Sequence, residues 1–162
     1  MIGTLRLSLL PVTTNDAHFL YRLMNTEGWL RFIGDRKIDT PEKARHYITQ
    51  LLARIDCTYW VVRLKTNNTP IGVISFLKRD YLEFFDIGFA FLPEYNGQGY
   101  AHEASKAVLQ KVMQDPEHQI VQATTLPENE RSIKLLQELG FYFLEERIDE
   151  DIKFHVFETG RE

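Results

Sequence analysis

A chain of 162 residues, 44% hydrophobic and 26% charged, has the balance of one soluble globular domain of ordinary size. Its net charge of -4 and pI near 5.8 argue against nucleic acid as the main partner, because phosphate backbones want a basic face. The one cysteine, Cys57, rules out an internal disulfide framework, and no stretch approaches the roughly 18 apolar residues of a membrane span.

The chain opens with a strand pattern over Thr4 to Leu10, closed by Pro11. The apolar part is too short for a signal peptide and is interrupted by Arg6, so a cytoplasmic protein is expected. "TTNDAHFLYRLMN" reads as a helix capped by Thr13, Thr14 or Asn15. Glu27 to Asp39 read as irregular. Thr40-Pro41-Glu42 then supplies a cap, a first-turn proline and a first-turn acid. Ala44, Ile48, Leu51, Leu52 and Ile55 mark the inward face of the helix that follows.

Three strand-like runs come next: "CTYWVVRLK", "IGVISFLKR" and "LEFFDIGFAFL", the first two separated by the turn signal "TNNTP". Short connections make them an antiparallel meander. Cys57 sits where helix gives way to strand, which favours packing over nucleophilic chemistry. Pro93 ends the third strand. Ala101, Ala104, Val108 and Val112 fall at helical spacing until Asp115-Pro116. "IVQATT" is a strand. "NERSIKLLQELG" is a short helix with Asn129 as cap, Ile133, Leu136 and Leu139 inward, and Gly140 at its left-handed end. "FYFLEERI" and "IKFHVFE" close the chain as two strands around Asp149-Glu150-Asp151. The expected fold is one mixed α/β (α+β) domain over residues 1–162, with helices against a largely antiparallel sheet.

The stretch "FLPEYNGQGYAHEA" holds the chemical signal. Gly97 and Gly99 allow a tight turn and close backbone approach, and free N–H groups there, with the positive end of the next helix, form an anion cradle. A plain strand-to-helix turn is the competing reading. A dinucleotide fingerprint needs a third glycine where His102 stands, and a Walker loop needs a Gly-Lys-Ser/Thr that is absent. Some other phosphate compound is required.

Asn96-Gly97-Gln98-Gly99-Tyr100-Ala101 resembles the acetyl-CoA signature of the GNAT acetyltransferases, Gln/Arg-x-x-Gly-x-Gly/Ala, with Asn96 in place of the longer first residue. "NERSIKLLQELGF", Asn129 to Phe141, is similar to that family's second signature. "IGDR" (Ile33 to Arg36), "DIGFAFLPEY" and "GYAHEA" look like the branch that acetylates protein N-termini, notably of ribosomal proteins. The resemblance implies the GNAT fold and acetyl-CoA as co-substrate. It implies an amine acceptor, a protein N-terminus or a small molecule, and no metal, nucleic acid or membrane.

By the same resemblance, the main chain at Phe89 and Phe91 would hold the thioester and pantetheine arm. Gly97, Gln98, Gly99, Tyr100 and Ala101 would hold the pyrophosphate, with His102 as a further donor. Asn129 and Ser132 would reach the pantetheine or thiol, and Arg131 and Lys134 are candidates for the outer phosphate. Relatives often place a tyrosine acid where Leu136 stands; here Ser132 or water must substitute. Asp86 is the preferred general base, because an acid inside an apolar strand is costly to bury unpaired, and Glu83 lies on the same expected strand. A structural partner for an arginine is the alternative for Asp86. Glu103 has the wrong charge for a phosphate and reads as structural. Trp29, Phe32 and Tyr47 could line the acceptor side, although core packing accounts for each. A non-catalytic acyl-CoA-binding module on the same fold is the competing function, and a dinucleotide-binding oxidoreductase is a more distant third.

Overall fold

The structure is a computed structural model that describes residues 1–160. Strands β1 (Ile2–Gly3) and β2 (Leu7–Pro11) lead into helices α1 (Ala17–Met24), α2 (Glu27–Phe32) and α3 (Pro41–Leu52). The meander β3 (Cys57–Leu64), β4 (Pro70–Leu77) and β5 (Asp86–Phe91) follows. Then come α4 (Tyr100–Val112), β6 (Val121–Thr125), α5 (Glu130–Glu138), β7 (Tyr142–Asp149) and β8 (Ile152–Thr159).

The eight strands form one sheet in the order β1-β2-β3-β4-β5-β6-β8-β7. Every neighbouring pair is antiparallel except β5 and β6. Strand alternation sends successive residues to opposite faces. Val62, Ile74 and Ile87 pack with Ala104, Val108 and Leu136 under α4 and α5. Val61 and Val73 pack on the other face with Leu20, Trp29 and Ile48 of α1, α2 and α3. The sheet is thus covered on both sides, which explains why β4 is apolar at nearly every position, with Ser75 buried among its neighbours.

Local chemistry sets the boundaries. Thr13 caps the turn into α1 through a capping box with Asp16, and Asp16 also pairs with Arg63 at 2.6 Å. The first strand is not continuous: Thr4 closes a turn by accepting the Leu7 N–H on its hydroxyl at 3.0 Å, which separates β1 from β2. Residues 27–39 were expected to be irregular, yet α2 forms there because Thr26 accepts the Trp29 N–H and so caps it. Ile55 does not face inward. Helix α3 ends at Leu52, and Ile55 and Leu52 are both exposed. The third meander strand is shorter than its apolar run, so Glu83 lies exposed ahead of β5. The last hairpin turns on Glu150 and Asp151, both at positive φ (48° and 67°), as a two-residue primed turn requires.

Candidate active site

The parallel pair β5–β6 is in register only at Asp86↔Gln122, with the Gln122 N–H donating to the Phe85 carbonyl at 2.9 Å. Beyond that point the two strands part, while β4 stays paired with β5 from Gly72↔Phe91 to Leu77↔Asp86. From Gly88 to Phe91, then, β5 has one satisfied edge and one edge with no β6 residue in register. A strand edge of this kind takes an extended ligand by main-chain hydrogen bonds. Gly72 fixes where the edge ends. A Cβ there would lie 2.4 Å from the Phe91 ring and 2.7 Å from the Ala90 carbonyl, so only glycine lets β5 approach.

The chain leaves β5 through Pro93–Tyr95, a single 3-10 turn, and enters α4 at Gly99. Gly97 and Gly99 have φ of 76° and 82°, the left-handed region that β-carbons resist. Gly99 is the N-cap of α4 and carries no side chain to cap it. Backbone pairing stops at Asn96 N–H to the Pro93 carbonyl (3.1 Å) and resumes at Glu103 N–H to the Gly99 carbonyl (3.0 Å). Among the described residues, no N–H from Gly97 to His102 meets an acceptor outside the helix itself. These groups and the helix dipole make a site for an anion immediately after the open edge of β5.

A brace from the N-terminus holds the turn. Arg6 Nη1 donates to the Gln98 carbonyl at 3.0 Å, its Nε donates to Glu103 Oε2 at 2.7 Å, and its guanidinium lies 4.3 Å from the centre of the Tyr100 ring. The Arg6 N–H and the Thr4 hydroxyl also donate to Glu103 Oε1, at 2.9 and 2.6 Å. Burial would raise the Glu103 carboxyl, but the hydrogen bonds from Thr4 and Arg6 outweigh it and hold the group below the usual range. Glu103 is a structural residue, as its charge suggested. Arg6 was missed: nothing local in "TLRLS" points to a loop 92 residues away.

Asn129 caps α5, its side-chain oxygen accepting the Ser132 N–H at 3.2 Å. Asn129 and Ser132 therefore share one helix end, after β6 and on the far side of the split from the glycines. Leu136 is 1% exposed and packs in the core beneath α4, so no acid stands at that position. Arg131 and Lys134 are exposed, Lys134 within 4.0 Å of Glu138. His102 is half-buried and lines a cavity of about 380 Å³ with Lys106, Leu109 and Leu139 between α4 and α5.

Asp86 begins β5 at the closed end of the split and is 3% exposed. Arg79 Nε donates to its Oδ2 at 3.0 Å, while Oδ1 is buried with no hydrogen-bond partner among the described residues. Burial pushes the carboxyl up to about 6, against the pull of the Arg79 charge and hydrogen bond. The Thr124 backbone adds a smaller downward pull short of a well-formed hydrogen bond. Asp86 is therefore an arginine's partner, the structural alternative named for it, and it also keeps one oxygen without a hydrogen bond where the strands part. Of the aromatics expected to line the acceptor side, Trp29 is buried in the core and Phe32 and Tyr47 are half-buried; Arg36 Nε donates to the Tyr47 hydroxyl at 3.3 Å. Burial also raises the Cys57 thiol on β3, which disfavours a thiolate nucleophile.

A sheet opened between parallel strands, a left-handed glycine turn and an uncapped helix start suit an extended ligand that ends in an anion, and comparison with known proteins names the class. The family model described as an acetyltransferase (GNAT) domain matches residues 6–142. The chain belongs to the GNAT acetyltransferase family. It is 26% identical over 139 residues to the uncharacterized N-acetyltransferase YnaD of Bacillus subtilis (strain 168), covering 86% of this chain and 81% of that protein. The aminoglycoside acetyltransferase AAC(6')-Ib, solved with coenzyme A, superposes with a TM-score of 0.81 at 21% identity over 96% of this chain and 95% of its own. The ribosomal-protein-S5-alanine acetyltransferase from Vibrio fischeri superposes with a TM-score of 0.82 at 20% identity over 97% and 94%. Identities this low establish the shared fold and say nothing of a shared acceptor.

Proposed function

We propose that this acetyltransferase moves the acetyl group of acetyl-CoA onto a primary amine, the α-amine of a protein N-terminus, by direct attack within a ternary complex. The observation that carries this reading is the open edge of β5 running straight into the uncapped start of α4. An extended arm and a diphosphate can lie there end to end. The main chain at Phe89 and Phe91 pairs with the arm and orients the thioester, and an N–H from the same edge stabilises the charge that gathers on the carbonyl oxygen as the amine attacks. The N–H groups of Gly97, Gln98, Gly99, Tyr100 and Ala101, with His102 beside them, hold the pyrophosphate. Asn96 sits at the entrance to that turn, and its shorter side chain leaves the contact to the backbone.

Attack needs a neutral amine. Asp86, through its free Oδ1, takes the ammonium proton, directly or through one water. The C–N bond forms and the C–S bond breaks, the sulfur leaves as a thiolate, and the proton that the nitrogen sheds in forming the amide passes to that sulfur. Asn129 and Ser132 face it from the start of α5, where the Ser132 hydroxyl can relay that proton, taking one as it gives one. A thiolate of ordinary pKa needs little acid help, so the leucine at 136 is compatible with turnover. The V. fischeri relative and the motifs in Asp86 to Ala104 support a peptide acceptor, while the aminoglycoside enzyme is the precedent for a small amine on this fold. The test is CoA release with a panel of N-terminal peptides, aminoglycosides and polyamines. Turnover with peptides is expected. Tight acetyl-CoA binding without turnover on any acceptor would leave a binding module instead.

A further inference from the structure

The molecule is acidic overall, yet one groove on the α3 side of the sheet is lined with cations. It has a volume of about 430 Å³ and is walled by Arg36, Lys37, Lys43, His46, Tyr47 and Gln50, with no acid in its lining. Lys37 and Lys43 pair with Asp35 (3.0 Å) and Asp39 (2.6 Å), but these side chains are half or more exposed, and such pairs hold weakly. Arg36 and His46 have no carboxylate partner among the described residues. Arg36 is nevertheless held in place, by its hydrogen bond to the Tyr47 hydroxyl and by the Trp29 ring 5.7 Å away.

The groove also leads to the open strand. Tyr47 and Tyr59, both half-buried, pack against the same core, Tyr59 from β3. Tyr59 is in register with Ser75 on β4, and Ser75 with Gly88 on β5, one residue before Phe89. Two strand spacings separate Tyr59 from β5, roughly 10 Å, or about three residues of extended chain.

We propose that this groove is the acceptor's specificity subsite, and that it takes side-chain carboxylates on the second to fourth residues of a peptide whose N-terminal amine lies at β5. The preferred acceptor is therefore an acidic N-terminus and not a polycation. The proposal rests on the transfer to an N-terminal amine argued above. Arg36, preorganised and without a counter-ion, is the main anchor, because a planar guanidinium pairs with carboxylate through two parallel hydrogen bonds. A polyamine or aminoglycoside entering the same groove meets mainly like charge, which selects against it.

Binding separates this from catalysis. The full chain, loaded with CoA, is titrated with three peptides labelled at the C-terminus, carrying acidic, neutral or basic side chains at positions two to four, and with spermidine. The acidic peptide is expected to bind at least tenfold tighter than the neutral one, with the basic peptide and spermidine weakest. Arg36→Gln should remove about tenfold of the acidic peptide's affinity, leave the neutral peptide and CoA unchanged, and be partly rescued by Arg36→Lys. Equal binding of all three peptides, tighter binding of the basic one or of spermidine, or no peptide binding overturns the subsite. Charge selection through Arg36 without acetyl transfer would remove the transfer reading and keep the subsite. Transfer that ignores peptide charge would do the reverse.

Discussion

Asp86 shows what one residue can be asked to do. Its raised pKa means that the folded chain binds this proton more tightly than the unfolded chain, whose carboxylate titrates near 3.8. Between pH 4 and 6 the native state holds the proton and the unfolded state does not, so stability falls as pH rises through that window. Two pK units correspond to on the order of 3 kcal/mol. Asparagine cannot titrate. The stability of the native chain relative to Asp86→Asn should therefore fall by roughly that amount between pH 4 and 7 in denaturant titrations, and a flat difference would refute the raised pKa. A base must be ionised to work, so kcat/KM should climb through pH 6 to a plateau. Asp86→Asn should lower kcat by about 10² or more. A variant with an unchanged rate and only the stability effect would leave Asp86 as a partner for Arg79 and pass the proton to water.

At the scale of elements, the glycine turn and α4 work only because the N-terminal strands brace them. Arg6 links the Gln98 carbonyl, Glu103 and the face of Tyr100, three points on one turn. Its ion pair is partly exposed, so Arg6→Ala is expected to cost only about 1 kcal/mol of stability in denaturant titrations. The larger loss should appear in CoA affinity, about tenfold by calorimetry, because the turn that presents the N–H groups is released. Arg6→Lys keeps the charge but cannot fork to both the carbonyl and the carboxylate, so it should recover the stability and little of the affinity. Recovery of both would assign Arg6 a purely electrostatic role. This brace was not legible in the sequence, whereas the turn was, because left-handed backbone selects glycine locally and a long-range arginine leaves no such mark. Gly72 escaped notice for a similar reason: in an apolar run it looks like any strand glycine, and its function is the space that Phe91 fills.

Over the whole molecule, periodicity and turn residues disclosed the element order from β3 to β8, because amphipathic faces and left-handed caps are written within a few residues. The brief helix α2, the split first strand and the cationic groove were not visible: single threonine side chains at Thr26 and Thr4 set the first two, and the groove forms only where the segment before α3 folds back along that helix. The parting of β5 from β6 is not written in the sequence of either strand, since no pattern within a strand encodes a partner that leaves. That parting has a global consequence. β5 carries residues of both cores, Ile87 under α4 and α5 and Ala90 toward α1 to α3, and it borders the open edge. A ligand that completes the edge and the start of α4 binds only the folded arrangement of β5, β6 and α4, so its binding energy adds to the stability of the whole chain. At acetyl-CoA concentrations a hundredfold above Kd the gain should be about 2.7 kcal/mol. For a domain of this size that raises Tm by roughly 5–10 °C. The backbone amides of Phe89 and Phe91, on the open edge, and of residues 97–102 should gain the most protection in hydrogen exchange, as they take up their missing acceptors. A thermal shift with protection confined to α1–α3 would place the ligand on the other face of the sheet and overturn the assignment of the β5 edge.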